Sequence, residues 1–303
     1  MAQRIGLIGI GLVGAALAER LLREGYSVHG YDIAEDRLNL LETMGGIVHD
    51  SPRSVADQCR ILFISLKDTA TVRSVIEGPD GVLAAATTPE TLIDTTTGDP
   101  DETVDLYHSL GSRHVRYLDA TISGSSSQIR QREAVFMVGG DSSVVEDCSA
   151  LFDIVSRRWF HVGEPGTGSK TKLASNLILG LNRAALAEGL VFAERLGLDL
   201  PSFIEVIRHT PAYSRAIDTK AAKMIEREYA PQSKVSQHRK DLDIILKYAQ
   251  VLHQPLPLTE IHRKLLIEAE ASGRAELDTC AIVEQIRDLT RTPTTNASPS
   301  GHG

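Results

Sequence analysis

The chain has 303 residues, with 32 Lys plus Arg against 40 Asp plus Glu, a formal charge of −8, and 42% apolar residues. At roughly 150 residues per domain, that length suggests two globular domains, each able to bury a core without disulfides or a structural metal. A net negative chain with no block of basic residues argues against a nucleic-acid or anionic-membrane surface, because phosphate recognition needs an electropositive footprint.

The first half alternates short β-type runs with amphipathic stretches, the pattern of a parallel sheet covered by helices on both faces. Strands are expected at Arg4–Ile8, Val28–Tyr31, Arg60–Ser65, Thr91–Asp94, Val115–Leu118 and Val135–Val138. Helices are expected between them at Leu12–Glu24, Ala34–Met44, Thr71–Ile76, Pro100–Leu110 and Ser142–Val155. Gly25, Gly45-Gly46, Gly78-Pro79-Asp80-Gly81 and Gly139-Gly140-Asp141 fall where these elements should stop.

Around Gly163-Glu164-Pro165-Gly166-Thr167-Gly168 the character changes, and helical periodicity holds from there to about Thr290. The expected division is therefore a domain at 1–163, an all-helical domain at 164–290, and a disordered tail of Thr, Pro, Ser and Gly at 291–303. Between Leu177 and Ala193 only Asn182, Arg183 and Glu188 interrupt the apolar run. Such a segment reads as a central helix buried nearly all round, with a second subunit supplying part of its cover. Later helices are expected at Pro201–His209, Ser214–Glu228, Val235–Leu252, Thr259–Ser272 and Thr279–Leu289.

Cys59, Cys148 and Cys280 are odd in number, far apart, and lack a C-x-x-C pair or a His at ligand spacing, so no metal site is expected. Met1-Ala2-Gln3-Arg4 runs straight into a strand pattern without the layout of a secretory signal. No stretch offers 18 uncharged apolar residues, and a cytoplasmic setting without a membrane span is the expectation.

Gly9-Ile10-Gly11-Leu12-Val13-Gly14 matches G-x-G-x-x-G in informative context: it follows a strand, opens a helix, and Asp32 stands 18 positions after Gly14 at the end of the next strand. Gly9 permits the tight turn, Gly11 removes the Cβ that would block a pyrophosphate, and Gly14 lets helix and strand pack closely. The pyrophosphate then lies at the helix N-terminus, where free N–H groups favour negative charge. Asp32 would accept from the ribose hydroxyls and repel a 2′-phosphate, and position 33 is Ile rather than an arginine that could clasp one. NAD is expected in preference to NADP, with Arg37, one helical turn on, as the alternative partner for a 2′-phosphate. The expected architecture is an α/β Rossmann-type N-terminal domain with a mostly parallel, doubly wound sheet, followed by an all-α C-terminal domain.

Three further motifs accompany the Gly6–Asp32 unit. They are Asp119-Ala120-Thr121-Ile122-Ser123-Gly124, then Gly166-x-Gly168-x-x-x-Lys172-x-x-x-Asn176, then Lys240-Asp241-Leu242. In this order and spacing the chain resembles the β-hydroxyacid dehydrogenase family over about residues 4 to 290. That family includes 3-hydroxyisobutyrate dehydrogenase, tartronate semialdehyde reductase and, more distantly, 6-phosphogluconate dehydrogenase.

The resemblance implies NAD-dependent oxidation of a small 3-hydroxy acid, or the reverse reduction. Lys172 would be the base that takes the hydroxyl proton. Lys172 and Asn176 are four apart on the expected helix and share a face, whereas Lys170 points away. A lysine at its ordinary pKa of about 10.4 is a poor base at neutral pH, so burial and the positive nicotinamide would have to lower it. Ser123 and Gly124, after the strand, would hold the substrate carboxylate by hydroxyl and backbone N–H groups. By position, Leu66, Lys67 and Thr97 are cofactor contacts, and Lys240, supported by Asp241, lies near nicotinamide and substrate. The expected partners are a small anionic substrate and further copies of the chain, as a homodimer or homotetramer through the helical domain.

Several positions depart from the family pattern. Thr121 replaces a Pro, Ser125 a Gly of the loop, Arg132 a further Gly, Ser175 the first Asn of a pair, and Lys67 the Pro of a Leu-Pro step. Arg130 and Arg132 would either grip a second anionic group on the substrate or form a solvated rim. Two other readings share the fold: a reductase of imines or other carbonyls, whose relatives usually replace this lysine, and a catalytically silent NAD-binding scaffold, for which loss of the base would be the mark.

Overall fold

A computed structural model of the chain describes residues 2–289, so the tail expected at 291–303 lies outside the described residues. The elements up to the middle of the chain are β1 (Arg4–Ile8), α1 (Leu12–Arg23), β2 (Ser27–Tyr31), α2 (Glu35–Thr43), β3 (Ile47–Val48), α3 (Pro52–Ala56), β4 (Ile61–Ile64), α4 (Thr69–Glu77), β5 (Thr91–Asp94), α5 (Pro100–Gly111), β6 (Arg116–Ser123), α6 (Ser126–Arg130), β7 (Val135–Gly139), α7 (Ser142–Asp147), α8 (Ser149–Val155) and β8 (Arg158–Gly163). The strands form one eight-stranded sheet in the order β3-β2-β1-β4-β5-β6-β7-β8. Neighbours run parallel except β6 and β7, which pair antiparallel from Asp119 opposite Gly139 to Ser123 opposite Val135. This is the expected mostly parallel, doubly wound sheet of a Rossmann-type domain.

Successive strand residues point to opposite faces, and here both faces are covered. Ile5, Leu7, Phe63, Ile93 and Leu118 enter one core with Leu17 and Leu21 of α1. Ile8, Leu62, Ile64, Leu92 and Tyr117 enter the other with Val72 of α4 and Leu106 of α5. That double burial is why these strands read as continuous apolar runs. The helices begin where capping chemistry permits. Asp68 accepts from the Thr71 N–H at 2.8 Å to start α4, and Asp99 accepts from Asp101 N–H at 3.0 Å ahead of Pro100 in α5.

Four short elements are additions to the expected list: β3, β8, α3 and α6. β3 and β8 are the edge strands, β3 exposed and β8 nowhere fully buried, so neither carries the long apolar run of the central ones. The expected helix 142–155 divides at Cys148 into α7 and α8. The expected strand Val115–Leu118 is longer, since β6 continues through Asp119, Thr121 and Ser123.

The remaining elements are α9 (Thr167–Arg195), α10 (Leu200–Arg208), α11 (Arg215–Glu226), α12 (Val235–Val251), α13 (Pro257–Ala269) and α14 (Ile282–Leu289), all helical as expected. The chain divides into two compact units between Asn176 and Leu177, so the first turns of α9 belong with the sheet. By length and composition α9 would suffice to cross a membrane, yet its Lys172, Asn176 and Arg183 are buried within the protein. Burial on every side is not met within one chain, because Ile178 and Phe192 are 60% and 64% exposed.

The helical unit is organised around buried polar groups. Asp278, fully buried, pairs with Lys220 Nζ at 2.7 Å and accepts from the N–H groups of Gln232, Ser233 and Cys280. Arg183 donates to Thr279. Gly180 is required where it stands, since a Cβ there would collide with the rings of His238 and His262.

Candidate active site

The glycine fingerprint folds as a turn between β1 and α1. Gly9 has φ +91°, and a Cβ on it would overlap the Ser65 carbonyl oxygen at the end of β4. A Cβ on Gly14 would overlap the Gly9 carbonyl oxygen, so this glycine sets the close approach of helix to turn. Gly11 differs: its Cβ would meet nothing within 4 Å. No protein contact demands a glycine there, and the open space is the cradle that a pyrophosphate approaching the α1 N-terminus needs. Leu12 and Val13 follow as half-buried residues of the first turn, with Val13 packed on the core.

Asp32, just past β2, accepts from Ile10 N–H through Oδ2 at 2.6 Å and from Ala34 N–H through Oδ1 at 2.9 Å. The two bonds fix its carboxylate beside the glycine turn while leaving lone pairs for ribose hydroxyls. Arg37 pairs with Asp36 at 3.4 Å on the surface. Leu66 N–H donates to Thr96 Oγ1 at 3.1 Å, which ties the loop after β4 to the one after β5. The structure therefore gathers Gly9, Ile10, Gly14, Asp32 and Leu66 at the carboxyl ends of parallel strands, where open α/β sheets bind their ligands. Thr97 is the next residue of the β5 loop. Lys67 projects outward, 73% exposed, 3.9 Å from Asp68. Sequence reasoning missed Thr96, whose position in a Thr-Thr-Thr run gives no sign of which hydroxyl faces the neighbouring loop. Ile33, read from the sequence only as the absence of an arginine, is an apolar side chain 92% exposed beside Asp32.

The head of α9 is fastened to β6. Asp119 accepts from Gly166 N–H through Oδ1 at 3.1 Å and from Ser169 N–H through Oδ2 at 2.8 Å. Thr121 Oγ1 donates to the Gly168 carbonyl at 2.9 Å. The glycines are obligatory for this seating: a Cβ on Gly168 would overlap the Asp119 carbonyl oxygen, and one on Gly139 would overlap Asp119 Oδ1. Burial pushes the Asp119 carboxyl up to about 6, against the N–H groups of Ser169 and Gly166, which favour its charged form. Lys172 lies one turn beyond Ser169 and Asn176 one turn further on, 9% and 5% exposed respectively. Ser175, in place of the family's Asn, turns its hydroxyl back to the Lys172 carbonyl at 3.0 Å.

Ser123 is the last residue of β6 rather than part of a loop after it, which corrects the expected placement, and Gly124 follows with φ +152°. The next N–H, of Ser125, is taken by Gln128 Oε1 at 2.9 Å in a capping box that starts α6. The two arginines in this segment are engaged within the protein. Arg130 pairs with Glu19 of α1 at 2.8 Å, and Arg132 donates to the Ser156 carbonyl at 3.2 Å. Arg132 has φ +60°, the left-handed conformation for which glycine is the usual residue. Lys240 belongs to the second unit, on α12, 3.2 Å from the buried Asp241 carboxylate.

Comparison with known proteins agrees with this geometry. Residues 4–163 match the family model described as the NAD-binding domain of 6-phosphogluconate dehydrogenase, and residues 166–286 match that of the NAD-binding of NADP-dependent 3-hydroxyisobutyrate dehydrogenase. The chain is 31% identical to the 2-hydroxy-3-oxopropionate reductase of Escherichia coli, over 94% of this chain and 97% of that protein. It is 28% identical to the 2-(hydroxymethyl)glutarate dehydrogenase of Eubacterium barkeri, over 95% and 96%. The crystal structure of a 3-hydroxyisobutyrate dehydrogenase from Salmonella typhimurium superposes with a TM-score of 0.84 at 26% identity, covering 93% of this chain and 99% of that one. The chain belongs to the β-hydroxyacid dehydrogenase family of NAD(P)-dependent oxidoreductases.

Proposed function

We propose that the protein oxidises a small 3-hydroxy acid with NAD, or reduces the corresponding semialdehyde or keto acid. The observation that carries this reading is the buried Lys172–Asn176 face of α9, held one turn from the residues that Asp119 and Thr121 seat on β6. Bound cofactor supplies the hydride acceptor. Lys172 Nζ takes the hydroxyl proton in oxidation and returns it in reduction, Asn176 orients the same oxygen, and Ser123 with the Gly124 N–H receives the carboxylate. The names of the two relatives describe acids oxygenated on the carbon next to the acid-bearing one, which supports that substrate class.

NAD in preference to NADP follows from Asp32. Its fixed carboxylate accepts from ribose hydroxyls and repels a 2′-phosphate, Ile33 offers no cation, and Arg37 is directed to Asp36. The test is a panel of 3-hydroxy acids, aldonates, sulfonates and phosphorylated acids, assayed with NAD and NADP by NADH absorbance. Against the best substrate, Lys172→Ala should lose on the order of 10²- to 10⁴-fold in kcat while still binding NAD. Unaltered turnover in this variant refutes the assigned base, and silence across the whole panel favours a scaffold.

The helical unit is also the subunit interface in this reading. Ile178 and Phe192 of α9 are exposed in the single chain, as are Val251, Leu252, Leu258 and Ile261 around the α12–α13 turn. Light scattering should give a mass at least twice the 32.9 kDa of one chain, and a monomer at micromolar concentration overturns the assignment.

A further inference from the structure

We propose that Asp119 is a positioning residue for Lys172, an inference that rests on reading Lys172 as the base: its carboxylate latches the first turn of α9 onto β6 and so fixes where the lysine stands. Four observations converge on this role. Both carboxylate oxygens are used, one on Gly166 N–H and one on Ser169 N–H, which brackets the turn from either side. The Thr121 hydroxyl holds the Gly168 carbonyl between them. Gly139 and Gly168 leave only enough room for this arrangement, so the turn has no slack against the strand. Lys172 follows Ser169 by three residues on the same rigid helix, and any tilt at the latch moves its amine.

The latch is a charged group in an apolar place. Asp119 is 2% exposed, and the Asp94 carboxylate of β5, which itself accepts from the Tyr117 hydroxyl and Thr96 N–H, acts on it as a like charge. Gly139 of β7 and Gly166, Gly168 and Ser169 at the head of α9 bring no titratable side chain. Both hydrogen bonds from the turn require an acceptor. A protonated Asp119 offers one oxygen as a donor to an N–H group that also donates, and that half of the latch opens.

Asp119→Asn reproduces this half-open state at every pH, because its NH2 faces one of the two N–H groups. At saturating NAD its kcat should fall on the order of 10- to 100-fold, the cost of a small misplacement of a reacting group. The Kd for NAD, read by fluorescence quenching, should stay within about twofold, since the glycine turn and Asp32 lie elsewhere in the unit. Amide exchange over residues 164–170 should quicken, and wild type should show an acid limb of kcat near pH 6 that the variant lacks. A variant with wild-type kcat and unchanged exchange overturns the latch, even if Lys172→Ala is inactive. Conversely, turnover surviving in Lys172→Ala removes the reading beneath the proposal, while the exchange measurement still reports on the latch itself. Should Asp119→Asn fail to fold, Thr121→Val decides: kcat should fall roughly threefold with NAD affinity intact, the effect of one lost neutral hydrogen bond, and an unchanged kcat overturns the proposal.

Discussion

Each unit contains a buried aspartate that gathers backbone N–H groups at the start of a helical segment, and the two sit in opposite electrostatic settings. Asp278, in the helical unit, accepts from three N–H groups and has Lys220 at 2.7 Å, so its carboxyl is held down at about 2 despite burial. Asp119, within β6, accepts from two N–H groups at the head of α9 and is pushed up to about 6 by burial, with the Asp94 carboxylate adding to the rise. Similar backbone geometry therefore yields a permanent charge in one place and a titratable one in the other. A counter-ion makes a buried acid a structural fastener. A buried acid whose carboxyl is raised to about 6 is instead poised to respond to pH, and Asp119 stands at the helix that carries the proposed base.

The largest effect that separates the two should come from Asp278→Ala. It strands Lys220 in the interior and frees three N–H groups, and should destabilise by about 3–5 kcal/mol. In calorimetry the affected transition should drop by roughly 10 °C; a drop under about 2 °C would mean that the buried pair is not the fastener described.

The pH dependence of stability should be next in size, with opposite signs at the two sites. Asp278 has a folded pKa below its unfolded value, so its contribution is present above about pH 3.8 and is lost as pH falls toward 2. Asp119 has a folded pKa above its unfolded value, so its contribution is present below about pH 3.8 and is lost as pH rises through 6. Urea unfolding of wild type against Asp119→Asn should show wild type gaining up to about 3 kcal/mol on the variant between pH 7 and 4. Parallel curves across that range contradict the raised carboxyl. The smallest expected change is in the melting of Asp119→Asn itself near neutral pH, which should lie within about 1 kcal/mol of wild type because a disfavoured charge is removed along with one hydrogen bond. Lost activity without lost stability is the contrast with Asp278.

Much of the cofactor half was legible from residues alone, because Gly9 and Gly14 answer steric demands of the turn, Gly11 leaves the cradle open, and Asp32 falls at a strand end. The central strands announced themselves by being apolar on both faces. The second half of β6 did not, since Asp119, Thr121 and Ser123 look like loop residues, and the partners of Asp119 and Thr121 lie 50 and 47 residues later in α9. β8 escaped notice for a different reason: an edge strand with Arg158 and Phe160 exposed has no pattern to read. The roles offered for Arg130 and Arg132 could not be settled by composition, because Glu19 and the Ser156 carbonyl are distant in sequence. The fastening of α9 was likewise invisible, although its parts, Asp119, Gly166 and Gly168, stood in the quoted motifs.

The alternation along β6 has one more consequence, for how the chain finds its fold. Leu118, Ala120 and Ile122 enter the apolar core while the alternate residues Asp119 and Thr121 meet the head of α9. A slip of a single residue against β5 or β7 would exchange the two sets, sinking a carboxylate and a hydroxyl into hydrocarbon and presenting apolar side chains to amides that need acceptors. The polar side of this strand therefore acts as a key that only one alignment of the sheet can turn.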